Sequence, residues 1–222
     1  MAELLKAFFT VAVLVPATLL PIINPFVGAP VFLSVTGGND DLARDMARRV
    51  AINCFFLLAG SILIGGYVLE FFGLSIPIVR VAGGIVVAVT GWRLLNDGRQ
   101  DDVQRSVAIS AERPSDAEIA QRSFMPMSFP LTVGPGSIAA AITLGAKRPE
   151  PSASWTPVAA GAFAGLIIVT LAVYLTYRYS APLLNKLGTT GTMVLLRLAA
   201  FLLLCIGIDI LWSGMAELLH LR

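Results

Sequence analysis

Two short stretches hold the residues best suited to chemistry: PIINPFVGAP at 21–30 and PMSFPLTVGPG at 126–136. Each sets three prolines and one or two glycines into a run otherwise as apolar as a membrane helix. A proline inside a helix removes an amide donor and clashes with the carbonyl four residues back, so the freed backbone groups need another partner. Exposed amides at a half-helix N-terminus suit an anionic group, exposed carbonyls suit a cation or ammonium, and an amino acid carries both. The candidate contacts are Asn24, Pro25, Gly28 and Pro30, with Ser34 and Thr36 beside them, and Ser128, Pro130, Thr132, Gly134, Pro135 and Gly136, with Ser137. Asn24 is the first choice as a side-chain contact and Ser128 and Thr132 the second, while the three glycines allow a solute to approach the backbone closely.

A third candidate is Asp209, set in the apolar run CIGIDILW. A carboxylate at membrane depth is costly unless it is paired, protonated or wet. Two roles stay open for it: a proton-coupling group, or a partner of an arginine or of water near the surface. Arg80 and Arg197 lie at helix ends or within helices, and either could hold a carboxylate; bracing a helix end by snorkelling is the favoured role for both. The sequence has no HExxH pattern, no GxSxG elbow and no phosphate-binding loop, and its single histidine, His220, is in the C-terminal tail. Enzyme activity, a metal site and an organic cofactor are therefore not expected. Cys54 and Cys205 sit in apolar runs and read as inert, buried small hydrophobes.

These groups must be positioned by helices in a bilayer. The chain of 222 residues is 56% hydrophobic and 14% charged, with a mean hydropathy of +0.80, well above that of a water-soluble domain. A net charge of +2, with no basic run interleaved with aromatics, argues against a nucleic-acid partner. Measured against the ~20 apolar residues that cross a bilayer, six spans are expected, at 5–36, 51–72, 76–96, 123–146, 155–177 and 193–218. Between the third and fourth lies a polar linker, 96–122, with ten charged residues in 27 and a short amphipathic helix expected near SDAEIAQR. The expected organisation is a first three-helix unit at 1–95, the linker, and a second unit at 123–222. If the odd-numbered loops share a face, that face holds ten Lys and Arg against four on the other. By the positive-inside rule those loops are cytoplasmic and both termini lie outside the cytoplasm.

The two proline stretches are related. An offset of 105 carries Pro21, Pro25 and Pro30 onto Pro126, Pro130 and Pro135, and a weaker echo pairs RVAGGIVV from Arg80 with RLAAFLLL from Arg197. An odd number of crossings per half makes such repeats inverted, an arrangement in which two broken helices build a midplane site. One proline would read as an ordinary kink; two matched triplets with glycines favour a site. Whether the breaks are kinked helices or re-entrant turns stays open. GAFAG at 161–165 and the pair Gly84/Ala88 mark close helix contacts, within one chain or between copies, and Trp92, Trp155 and Trp212 read as interfacial anchors.

The runs NPFVGAPVFLSVT (24–36), FGLSIPIVRVAGGIVVAVTGWRLL (72–95), MPMSFPLTVGPGSIAAAI (125–142) and RLAAFLLLCIGIDILWSG (197–214) resemble the MarC family of multi-pass inner-membrane proteins. The resemblance implies an all-α membrane protein of six transmembrane helices in a 3+3 inverted repeat, with the first and fourth segments broken, similar to the group that includes lysine exporters. It implies transport of small neutral amino acids across the inner membrane, with H+ or Na+ as the coupling ion. Asp209 stands where many relatives are expected to have Gln. Export of another small solute, or a channel, are the alternative functions, and a homo-oligomer is left open.

Overall fold

The computed structural model describes residues 2–96, 115–146 and 155–219. Most of the linker, residues 97–114, lies outside the described residues, as do Lys147, Arg148, His220 and Arg222. Among the described residues there are helices and no strands. They are α1 (Ala2–Ile23), α2 (Pro25–Thr36), α3 (Asp40–Phe71), α4 (Ile76–Asn96), α5 (Asp116–Arg122), a distorted helical segment (Ser123–Thr132), α6 (Pro135–Ala146), α7 (Trp155–Arg178) and α8 (Ser180–Leu218). Five helices are long and apolar enough to cross a membrane, and the pair 116–132 and 135–146, bent by 71°, counts as a sixth if it is taken as one broken span rather than a re-entrant loop.

Several boundaries differ from those expected. The apolar run 5–36 is a full-length helix, α1, followed by a separate 12-residue helix, α2. α3 starts well before the apolar run, because Asn39 caps it: the side-chain oxygen accepts from the amides of Asp41 and Leu42, each at 3.0 Å, and two aspartates fill the first turn. α8 likewise begins at Ser180 and is interrupted at Gly188, whose φ of 65° and ψ of 179° only glycine adopts readily. The expected amphipathic helix is α5, opened by a reciprocal capping box between Ser115 and Glu118.

Ion pairs identify the two ends of the bundle. Arg178 at the end of α7 meets Asp40 at 3.4 Å, and Arg49 meets Asp116 at 3.5 Å, so the basic starts and ends of α3, α5 and α7 share one end. At the other end Arg80 of α4 pairs with Glu217 of α8. Between these ends, glycines set the helix spacing. α4 and α8 run antiparallel with their backbones in contact: a Cβ on Gly84 would sit 2.5 Å from the Leu211 amide nitrogen, and one on Gly91 2.5 Å from that of Leu204. From the other side Gly207 faces Ala88, and Gly214 faces Pro77 and Val81. Gly84 and Gly91, like Gly207 and Gly214, are seven residues apart, about two helical turns, which keeps each pair on one face. Gly161 and Gly165 of α7 seat in the same way on Phe8, Val11, Ala12 and Val15 of α1. The small-residue pairs therefore join helices within one chain.

The core is built from Leu19, Phe32, Val50, Leu58, Met127, Val169, Val173 and Tyr177, all inaccessible. Outside it, large apolar side chains such as Phe56, Leu63, Phe71 and Phe163 are exposed, as a lipid-facing surface requires. Trp92 and Trp212 are exposed as expected of anchors. Cys54 is buried, but Cys205 is exposed, because it projects from the outer face of α8 while its neighbour Leu204 lies at the α4 seam. The burial expected for Cys205 is corrected accordingly.

The α4–α8 seam makes a stability prediction. Gly207→Ala should destabilise the protein by about 1–3 kcal/mol, because its Cβ meets backbone rather than a side chain that could move. Gly60→Ala, where nothing lies within 4 Å, should be neutral or stabilising. Paired denaturation curves in detergent measure both, and equal curves would contradict the seam.

Candidate functional site

The two proline stretches break their helices by different local means. Asn24 closes α1 by donating its amide to Leu20 at 2.9 Å, then turns left-handed at φ 40° and ψ 69°, a conformation that asparagine tolerates better than most residues. Pro25 follows as the first residue of α2, where its missing amide removes nothing from the helix. Pro30 is inside α2. In the second stretch Met125 and Phe129, each preceding a proline, are extended (φ −123°, ψ 120° and φ −129°, ψ 129°), as a proline imposes on its predecessor. The prolines matched in spacing therefore occupy different positions: Pro21 lies within α1 and its counterpart Pro126 within the broken segment, while Pro30 is interior to α2 and Pro135 begins α6.

Hydroxyls add side-chain donors to backbone carbonyls around the second break. Ser123 Oγ donates to Ile119 O at 2.6 Å, Ser128 Oγ to Ser123 O at 2.6 Å, and Thr132 Oγ1 to Met127 O at 2.6 Å. The Val133 amide reaches Ser128 O at 2.8 Å. Ser128 and Thr132, five-residue back-bonders in this segment, are both buried, and each makes one further polar contact. Asn53 of α3 donates its side-chain amide to Ser128 Oγ at 3.1 Å, and Thr132 Oγ1 shares a hydrogen bond with Tyr177 Oη at 2.7 Å.

Tyr177 brings the two stretches together. Its ring stacks on Phe32 of α2, with centroids 4.8 Å apart and planes within 6°, and its hydroxyl lies directly against Gly28. A Cβ on Gly28 would overlap that oxygen, so glycine at this position is what admits the tyrosine. One fully buried phenol of α7 thus touches Gly28 from the first stretch and Thr132 from the second. The junction lies toward the Asp40 end, since Tyr177 is the residue before Arg178.

The other candidates distribute as follows. Asn24 is half-buried and its side chain makes no capping bond; Pro25 and Pro30 are buried in α2. Pro130 and Pro135 face outward. Gly134 lies 3.1 Å, at its Cβ position, from Pro130 O, while Gly136 packs against Val87 of α4, so its smallness serves helix contact. Ser34, Thr36 and Ser137 donate to carbonyls of their own turns. Arg197 is exposed on α8. Asp209 and Arg80 line one cleft of about 350 Å³ at the Glu217 end, formed by α1, α4, α6 and α8. Among the described residues no group of three or more His, Cys, Asp or Glu could hold a metal ion.

Two contributors, Asn53 and Tyr177, were not among the candidates from sequence. Asn53 carried a signal, a polar amide inside the apolar run 51–72. Tyr177 did not, because a tyrosine near the end of a span reads as an interfacial anchor.

The Gly28–Tyr177 contact predicts a specific coupling. Gly28→Ala should lower the melting temperature in detergent, and Tyr177→Phe alone should cost about 1 kcal/mol through loss of the hydroxyl. Removing that hydroxyl should make Gly28→Ala less costly than it is in the parent chain, a positive coupling that a double-mutant cycle measures. Simple additivity would overturn the contact.

Comparison with known proteins agrees with this architecture. The family model described as "MarC family integral membrane protein" matches residues 7–219. The chain is 30% identical over 206 residues to the UPF0056 inner membrane protein MarC of Escherichia coli (strain K12), covering 90% of this chain and 92% of that one. The protein of the same name from Shigella flexneri matches to the same extent. No solved structure matches. The match over nearly the whole chain shows that it belongs to the MarC family of integral membrane proteins.

Proposed function

We propose that the protein is a secondary transporter of small neutral amino acids such as alanine, glycine and serine, working by alternating access in the inner membrane. The observation that carries this reading is the convergence of the two broken stretches on Tyr177, which gathers hydroxyls, a side-chain amide and a close-approach glycine inside an apolar bundle. Polar groups of this kind at membrane depth line solute paths. Asn24, Ser128 and Thr132 supply the side-chain contacts, and the backbone near Gly134 supplies the remainder.

The packing supports a 3+3 inverted repeat. The first broken unit, α1–α2, packs on α7, the second helix of the other half, and the second broken unit packs on α3, the second helix of the first half. The third helices, α4 and α8, pair antiparallel. Exchanging the halves leaves this pattern unchanged, as a two-fold axis in the membrane plane would. The Lys- and Arg-rich Asp40 end is then cytoplasmic, and both termini lie on the opposite side.

The test is uptake of labelled alanine, glycine and serine into proteoliposomes holding the full chain, with proton and sodium gradients imposed separately. Uptake stimulated by one gradient identifies the coupling ion. Asn24→Ala and Ser128→Ala should each lower the rate by about tenfold or more, the effect of roughly 1.4 kcal/mol at a solute contact. Folded protein that moves none of the three under either gradient would overturn the reading.

A further inference from the structure

The cleft at the Glu217 end is separate from the Tyr177 junction. Its walls are Leu14 and Thr18 of α1, Arg80 of α4, Ala139, Ala140, Thr143 and Leu144 of α6, and Asp209, Ile210 and Ser213 of α8. Its charged groups are one carboxylate and one guanidinium, set among hydroxyls and aliphatic carbons. At about 350 Å³ it is at the small end of ligand sites.

The two charges do not satisfy each other. Arg80 pairs with Glu217, which is outside the cleft lining, and no ion pair joins Arg80 to Asp209 among the described residues. The antiparallel register places Asp209 and Glu217 about one helical turn on either side of the level of Arg80, and the guanidinium takes Glu217. Gly84 of α4 is level with Gly207 and Leu211 of α8, so Asp209 lies near the level of Gly84 and about one helical turn, ~6 Å, from that of Arg80. The guanidinium has five donors in a fixed fork, and the Glu217 contact uses NH1 alone, leaving donors for a second carboxylate. Asp209 accepts no hydrogen bond from a described residue. Asp209 is exposed in the cleft, and a carboxylate at membrane depth that faces a polar cavity without a protein partner is open to a cationic group of a solute.

We propose that this cleft is a binding site for a zwitterionic α-amino acid, with the solute ammonium on Asp209 and its carboxylate on Arg80. An α-amino acid presents opposite charges a short distance apart and so suits two groups of opposite sign that line one cleft without pairing. The aliphatic walls Leu14, Ala139, Ala140 and Leu144 leave space for a small apolar side chain. The hydroxyls of Thr18, Thr143 and Ser213 complete the polar lining. This gives Asp209 a role as an ionised solute contact in place of proton coupling. The inference rests on the transport reading for the choice of solute, but the binding it claims can be measured without transport.

The experiment is equilibrium binding of labelled alanine to the purified full-length protein in detergent, with propionate and ethylamine as competitors that each lack one charge. Alanine should compete at least about tenfold better than either. Asp209→Asn should weaken alanine at least about tenfold and erase its advantage over propionate; Arg80→Gln should erase its advantage over ethylamine. Glu217→Gln, which frees Arg80 without altering the lining, should leave alanine affinity equal or higher.

A second measurement does not depend on charge-removing variants. In a Cys205→Ser background, a Ser213→Cys thiol should be labelled by a maleimide and protected by alanine, but not by propionate or ethylamine at equal concentration. Unchanged alanine affinity in both Asp209→Asn and Arg80→Gln, or no protection at position 213, would overturn the proposal. So would an Asp209→Asn protein that binds normally and loses only its response to a proton gradient. Binding without uptake would sink the transport reading and leave the cleft standing. Uptake abolished by Ser128→Ala with cleft binding intact would support both.

Discussion

A carbonyl left without its amide inside hydrocarbon must find another donor, and this requirement shapes the bundle more than any other. Pro126 and Pro130 each delete an amide within a few residues of one another, and both force their predecessors out of helical conformation. Around these prolines Ser123, Ser128 and Thr132 donate their hydroxyls to the carbonyls of Ile119, Ser123 and Met127. The same hydroxyls retain lone pairs, and these recruit Asn53 and Tyr177. The polar junction is thus built from hydroxyls that serve both the backbone of the broken segment and its neighbours.

The glycine seam has the opposite character. Along the seam between α4 and α8, Gly84, Gly91, Gly207 and Gly214 let the two helices approach until their backbones touch. Such contact gains dispersion energy over a long surface and leaves little freedom to slide. The broken units have fewer internal constraints: α2 is only 12 residues long, and the α5–α6 unit bends by 71°. The molecule thus sets a closely packed helix pair beside two interrupted units.

The sequence made the spans legible where hydropathy changes sharply. The expected segment 76–96 is α4 to the residue, bounded by the turn at Gly73, whose φ is 67°, on one side and by the charged linker on the other. The expected 51–72 missed the first turns of α3, since Asp40 to Arg49 is charged and its helicity comes from the Asn39 cap rather than from apolar patterning. The paired prolines located both breaks but not their form, because a proline restricts its neighbours without choosing between a left-handed residue and two extended ones. In the site, Gly28, Ser128 and Thr132 were legible from their company of prolines. Gly136 was placed beside them by the same logic, yet its function is to admit Val87. Tyr177 was hidden because its partners are 45 and about 150 residues away in sequence, and only the fold brings them within reach.

The two ends of the bundle differ in a way that bears on mechanism. Toward the Asp40 end, Tyr177 fills the space between the broken units, stacked on Phe32 and bonded to Thr132, so the path there is packed with side chains. Toward the Glu217 end, the same α6 that leaves the second break forms one wall of an accessible cleft through Ala139, Ala140 and Thr143. A solute in that cleft would touch α6 and α1, the two helices directly joined to the breaks. Any preference of the solute for a narrower cleft would therefore be felt at the junction, where one phenol touches both α2 and the Ser123–Thr132 segment. Since a ligand shifts a conformational equilibrium only by its differential affinity for the two states, the charges of the cleft and the hydroxyls of the junction would act as two ends of one coupled element, with α6 as the connection.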